Sequence, residues 1–272
     1  MEPQRKQVLL AFAAPIMAFL IAAILSGSNE ASKSLDPSRL EDTNVDVINR
    51  TRSCEVMQAK RRNGQLVLSL RNGYTKRITA FSVSVGSSAT SLFFYKEDFI
   101  FSEATGEVGI KPNETHVPTI ALPLSLHHTP SPRVTIQAVV LDDSTGDGSP
   151  LVFKDIKDER LGEAIQMKRA IDALQKREEI GQLSAADVAD FKRELTSAFD
   201  APERETLAVL SAMRPTRSVN RDSGLLSDAL KEGLSNAKKA IMRSLTEAEN
   251  APSPTERLIK MKAHYEESLR RL

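Results

Sequence analysis

The chain has 272 residues, which is enough for two ordinary domains, and its content of 40% hydrophobic and 27% charged residues is typical of a folded protein. The formal net charge of +1 provides no basic field for binding several phosphates, which argues against nucleic-acid binding. Cys54 is the single cysteine. This chain alone can therefore form neither an internal disulfide nor a zinc site of several thiolates.

The N-terminus contains a membrane-targeting segment. Residues Val8–Leu25 (VLLAFAAPIMAFLIAAIL) carry no charged side chain and follow Arg5 and Lys6. A spanning helix needs about 17–25 apolar residues, whereas a signal peptide has about 7–15, so the length favours a membrane anchor. Ser26 and Ser28 are small residues at which a signal peptide could end, and cleavage followed by secretion is the alternative.

The charges on either side of this segment predict its orientation. Basic residues precede it and several Asp and Glu residues follow it, so the positive-inside rule keeps the N-terminus in the cytoplasm. We expect a single-pass membrane protein with its bulk outside the cytoplasm, in the periplasm. Residues 1–28 then form the anchor or signal, and residues 29–43 form a polar linker that contains Pro37.

Residues 44–154 predict a β-rich domain. Asn63-Gly64 is the dipeptide that a type I′ turn requires, so residues 53–71 are expected to form a hairpin. Alternation in two later segments predicts strands with one buried and one exposed face. About seven short strands without intervening helices favour an antiparallel sandwich of the immunoglobulin-like (Ig-like) or fibronectin-like kind. The strands expected after the hairpin are Ile78–Val85, Leu92–Phe101, Thr119–Leu124, Val134–Leu141 and Leu151–Phe153.

Three phrases in this region carry a resemblance to a known group of proteins. They are LVLSLRNGYTKRITAFSVSV (residues 66–85), IKPNET (110–115) and IQAVVLDDSTGDGSP (136–150). The region resembles uncharacterised bacterial envelope proteins that contain an Ig-like module. The resemblance implies a fold and a compartment, but no activity, because sandwiches support many functions.

Residues 155–272 predict an all-α domain, a bundle or an extended arm, because the apolar spacing changes to three and four. Two of the five predicted helices, the fourth and fifth, should form an antiparallel hairpin. The fourth carries a near-heptad seam around Leu226–Leu245, which fits packing within the chain or pairing with a second copy. The five helices are expected to begin at Asp155, at Ser184, at Asp200, at about Ser223, and at a capping box over Ser253–Glu256.

The acidic segment Asp142–Gly148 is a candidate calcium loop. Counted from Asp143, however, the twelfth position is Lys154, where a bidentate glutamate is required. Asp, Ser and Gly are also the usual residues of hairpin turns, so we expect a turn here.

The remaining candidates are histidines and the cysteine. His127 and His128 are adjacent and would point to opposite faces of an extended chain, and His116 lies near another turn. We expect exposed loop histidines rather than a metal site. Cys54 is expected to be a buried thiol, with an intermolecular disulfide as the alternative.

No residue is assigned to a catalytic, cofactor or metal site, and no cofactor is expected. The fold class predicted is α+β multidomain, with a membrane helix or signal, a sandwich and a helical domain. The first functional hypothesis is a non-enzymatic, membrane-anchored scaffold that binds a protein partner. The alternatives are a periplasmic assembly helper that acts by strand addition, and a ligand-handling enzyme whose site is not visible in the sequence.

Overall fold

The computed structural model describes residues 43–86, 92–101, 108–127, 132–178, 184–199, 204–206, 208–209 and 226–272. They belong to one compact unit, Asp42–Leu272, of mixed α and β structure in which sheets are followed by helices. The predicted anchor Val8–Leu25, nearly all of the linker and most of the third predicted helix lie outside the described residues. Within the described ranges, no helix is long and apolar enough to cross a membrane.

The described part of the chain contains ten strands and five helices of at least four residues. The strands are β1 (Thr43–Asn44), β2 (Asp46–Asn49), β3 (Cys54–Arg62), β4 (Gln65–Asn72), β5 (Ile78–Gly86), β6 (Phe93–Asp98), β7 (Thr115–His116), β8 (Thr119–Ala121), β9 (Arg133–Leu141) and β10 (Gly146–Gly148). The helices are α1 (Leu124–His127), α2 (Pro150–Glu178), α3 (Ala185–Phe199), α4 (Asp228–Glu249) and α5 (Pro254–Arg270).

The strands form two sheets that share one hydrophobic core. Sheet A has the order β1-β3-β4-β7, with β8 also paired to β4, and sheet B has the order β10-β9-β5-β6, with β2 paired to β9. Apolar side chains of β4 and β5, such as Leu68 and Phe81, meet in the core between the sheets. The antiparallel prediction is wrong for one pair, because β2 runs parallel to β9. The chain there leaves sheet A after β1 and joins sheet B one residue later.

The predicted first hairpin is confirmed. Strands β3 and β4 pair in antiparallel register from Cys54↔Asn72 to Arg62↔Gln65, with a bulge near Met57. Asn63 and Gly64 both have positive φ, 50° and 72°, as a type I′ turn requires. The turn chemistry of two residues therefore sets the register of the longest pairing in sheet A.

The sequence predicts that the strands of sheet B have one buried and one exposed face, and this is wrong for β5. Every residue of β5 from Ile78 to Val85 is buried, because α2 covers the outer face and packs Ile156 against Ala80 and Val140. The helix begins at Pro150, not at Asp155, so the predicted strand Leu151–Phe153 is its first turn. Proline is favoured at the first position of a helix because its φ is already helical and its missing N–H is not needed in the first turn.

Helices α2 to α5 share a second core, and the predicted hairpin of α4 and α5 is confirmed. Seam residues of α4, including Ala237, Ile241 and Leu245, are buried in this core within one chain. The Ser184 cap is confirmed, since its Oγ accepts from the backbone N of Asp187 at 3.3 Å and its own backbone N donates to Asp187 Oδ2 at 2.7 Å. The capping box at Ser253 is wrong. In the described structure its side chain makes no cap hydrogen bond, and Glu256 accepts from Lys260 at 2.7 Å instead.

Candidate functional site

Partly or fully buried ionisable side chains lie where β6 meets α2 and α4. We call the group Lys96, Asp98, Glu159, Arg160 and Glu163 the interface cluster. Period-two alternation of β6 places Lys96 and Asp98 on the same side of sheet B, the side that α2 covers. The other three occupy one stretch of α2, so two distant segments supply all five charges.

The pair of Arg160 and Asp98 is the best-defined contact of the cluster. Arg160 Nε donates to Asp98 Oδ2 at 2.6 Å, and Nη2 donates to Oδ1 at 3.1 Å. Nη2 also donates to Thr79 Oγ1 at 3.0 Å on β5. The two charged side chains are only 7% and 12% exposed, so this bidentate pair is shielded from water.

A second ion pair connects the same two elements. Lys96 Nζ contacts a carboxylate oxygen of Glu159, which is 9% exposed. The other oxygen of Glu159 accepts from Asn236 Nδ2 at 3.2 Å, which brings α4 into the network. Strand β6 is thereby joined to two helices through the side chain of a single glutamate.

The surroundings shift the protonation of Glu163 and Lys96 towards the neutral forms. Burial raises the pKa of Glu163 to about 8, and the nearby charge of Asp98 adds to the rise. Lys96 and Arg160 oppose this shift without cancelling it. Burial likewise lowers the pKa of Lys96. At neutral pH, Glu163 is therefore largely protonated.

Two glycines allow α4 to approach α2 closely beside the cluster. A Cβ on Gly233 would lie 2.0 Å from the backbone oxygen of Glu159, and a Cβ on Gly162 would lie 2.2 Å from the backbone oxygen of Leu230. Both distances are too short for any larger residue. The close approach places Asn236 within reach of Glu159.

A raised carboxyl pKa beside a lowered lysine pKa is also a signature of general acid–base sites. In this cluster, however, the Arg160–Asp98 and Lys96–Glu159 pairs join separate elements of the fold. Removing one partner from such a buried pair typically costs about 3–5 kcal/mol. These two pairs therefore attach sheet B to the helices.

The acidic segment forms the predicted hairpin turn between β9 and β10, with Ser144 at φ 61°. Asp147 accepts from the backbone N and the Oγ of Ser53, both at 2.7 Å, and holds the loop before β3. Hydrogen bonds from Lys76 and Thr145 lower the pKa of Asp143 to about 2. Among the described residues, no group of three or more His, Cys, Asp and Glu side chains could hold a metal ion.

The predicted exposure is wrong for His116 and His127, which are the two of the three loop histidines that lie within the described residues. His116 Nε2 lies 3.1 Å from both carboxylate oxygens of Glu97, and its ring packs edge-on to Phe99 with centroids 5.1 Å apart. His127 is half-buried in α1, with Nε2 2.9 Å from the oxygen of Leu122. His128 lies outside the described residues.

Cys54 is buried as predicted, with 1% of its surface exposed. Burial raises the pKa of its thiol to about 12, and the charges of Glu55 and Asp147 add to this. The thiolate, which is the reactive form, is therefore scarce at neutral pH in the folded protein.

Sequence reasoning missed the interface cluster because its β6 residues lie more than sixty positions before its α2 residues along the chain. The available signal was weak: three consecutive charged residues at the end of a strand that begins with three aromatic residues, and a Glu-Arg pair within an amphipathic helix. Comparison with known protein families, with curated proteins and with solved structures finds no match.

Proposed function

We propose that the chain is a non-enzymatic interaction or scaffold protein, held outside the cytoplasm by the anchor Val8–Leu25. The observation that carries the proposal is the pairing within the interface cluster. Its ionisable groups join β6 to α2 and α4, which suits a rigid platform more than a reaction centre. The apolar N-terminal run supports a location at the membrane.

We further infer an Ig-like sandwich. Read as strands C, C′, F and G, the elements β5, β6, β9 and β10 have the spatial order G-F-C-C′, as in the larger sheet of variable-type domains. Read as A, B and E, the elements β3, β4 and the β7–β8 edge lie side by side in the other sheet. This order supports the resemblance to Ig-like envelope modules.

The face most suited to a protein partner is the outer face of sheet A. Side chains on it are exposed, including Gln58 and Gln65 on the first hairpin and Thr119 on β8. The corresponding face of sheet B is covered by α2. Loops and sheet faces presented by a rigid scaffold are common sites of protein recognition.

The membrane location is tested by expressing the full-length chain in bacteria and measuring the mass of the product in membrane and soluble fractions. An intact chain, Met1–Leu272, in the membrane is the expected result. A soluble product that begins after Ser28 would replace the anchored scaffold by a secreted protein.

The binding face is tested with a photo-crosslinking amino acid introduced at Gln65. Lys239, which is exposed on α4, provides the control position. We expect discrete crosslinked species in membranes from the Gln65 position and none from the Lys239 position. Equal crosslinking from both positions, or none from Gln65, would contradict a partner on sheet A.

One observation favours strand addition as a second candidate. Strand β6 lies at the end of sheet B, and Leu92, just before it, and Phe94, within it, are 66% and 61% exposed. An open edge with apolar side chains is what an added strand requires. Crosslinking from Phe94 in place of Gln65 would select this function over the first.

A further inference from the structure

A pocket of about 230 Å³ lies between α4 and α5. Arg257, Lys260 and His264 line it from α5 together with Met261, and Ser244 lines it from α4. The spacing of three and four along α5 places the three basic residues on the same face of the helix. Among the described residues, this lining contains no carboxylate.

The two cations of the pocket, Arg257 and Lys260, each form an exposed ion pair with a glutamate. Arg257 pairs with Glu247, and Lys260 Nζ lies 2.7 Å from Glu256 Oε1. All four side chains are between 47% and 67% exposed. Exposed ion pairs of this kind contribute little to stability, so both cations can turn to another anion at small cost.

His264 provides an independent indication of a ligand. Its Nε2 atom is buried and has no hydrogen-bond partner among the described residues. A buried polar nitrogen of this kind is rare in folded proteins, because it loses its bond to water without gaining another. A rotation of the imidazole ring, which lines the pocket, would bring this nitrogen within reach of an acceptor oxygen there.

We propose that this pocket binds a phosphate group. A guanidinium fork, an ammonium and an imidazole nitrogen offer hydrogen-bond donors of the kind that the oxygens of a phosphate accept. The volume is below the range of about 300–1,000 Å³ typical of drug-sized ligands, which suits a compact headgroup. The phosphate comes either from solution or from a lipid headgroup, since both present the same oxygens.

The test uses the full chain in detergent and inorganic phosphate as the probe, with binding measured by calorimetry and by the ring ¹⁵N resonances of His264. We expect R257Q/K260Q to weaken binding by about tenfold or more, because two charged donors are lost. The control K231Q/K239Q removes two exposed positive charges from α4 and should change affinity by less than about twofold. No binding by the parent chain, or equal loss in the control, would overturn the proposal.

A second variant separates binding from folding. His264→Phe keeps a ring of similar size and removes the unpartnered nitrogen, so the unfolding midpoint without phosphate should not fall, while phosphate affinity should fall about tenfold. Unchanged affinity in this variant would exclude the role given to His264.

Competition with short-chain phosphatidic acid and with phosphatidylcholine then distinguishes a lipid headgroup from free phosphate. Displacement of phosphate by the former alone identifies a lipid headgroup, and displacement by neither identifies free phosphate.

Discussion

At the scale of single residues, Glu163 shows how the fold alters ordinary chemistry. A free glutamate carboxyl has a pKa of 4.5, and burial with Asp98 nearby raises that of Glu163 to about 8. The folded state then holds the proton more tightly than the unfolded chain does. Consequently, the contribution of this group to the free energy of unfolding falls as the pH rises from about 4.5 to about 8.

Glu163→Gln should therefore stabilise the protein at high pH. Glutamine resembles the protonated carboxyl at every pH, so the variant avoids the cost of ionising a buried group. We expect a gain of about 1–3 kcal/mol in the free energy of unfolding at pH 9, and a gain that shrinks towards pH 4. Urea unfolding of both proteins at the two pH values measures this. The same difference at both values would contradict the raised pKa.

At the scale of elements, two serines at helix starts show why local patterns need structural verification. Ser184 and Asp187 exchange hydrogen bonds at the start of α3, as their spacing predicts. Ser253 and Glu256 have the same spacing, but the backbone of Ser253 has φ −129° and ψ 86°, and Glu256 is held by Lys260. An alternative partner one turn along the helix decides the outcome at the second site.

Ser184→Ala should lower the free energy of unfolding by about 1 kcal/mol, because two bonds at the start of α3 are lost. Ser253→Ala is the matched control and should change it by only about a few tenths of a kcal/mol. Equilibrium urea unfolding of the two variants provides the comparison. A larger loss in the Ser253 variant would mean that its hydroxyl caps α5 after all.

At the scale of the whole molecule, the interface cluster makes the sheets and helices one compact unit. The buried pair of Arg160 and Asp98 is reinforced by Ser268 at the end of α5, whose Oγ donates to the backbone oxygen of Ile100 at 3.1 Å. Contacts of this kind couple the unfolding of the two parts, because separating them breaks the buried ion pair and this hydrogen bond.

Arg160→Met should weaken this coupling and lower the free energy of unfolding by about 3 kcal/mol, since it leaves Asp98 buried without its partner. Helix content follows α2 to α5 by circular dichroism, and labelling of the single cysteine, Cys54, follows the sandwich. The two urea transitions should coincide in the parent chain and separate in the variant.

The control for this experiment is Arg193→Met. Arg193 pairs with Asp190 on the surface of α3, and the two side chains are 79% and 61% exposed. Its removal should leave the two transitions coincident and the stability nearly unchanged. Separate transitions already in the parent chain would show that the cluster does not join the two parts.

Local sequence patterns were enough to predict the hairpin at Asn63-Gly64, the strand β5 and the α4–α5 hairpin. Each depends on turn chemistry or on apolar spacing within a few residues, and both are local properties of the chain. The packing of distant segments explains why α2 begins at Pro150, covers sheet B and buries both faces of β5 and β9. It also decided that Lys96, Asp98 and Glu163 meet, because burial and electrostatics depend on which distant surfaces pack together.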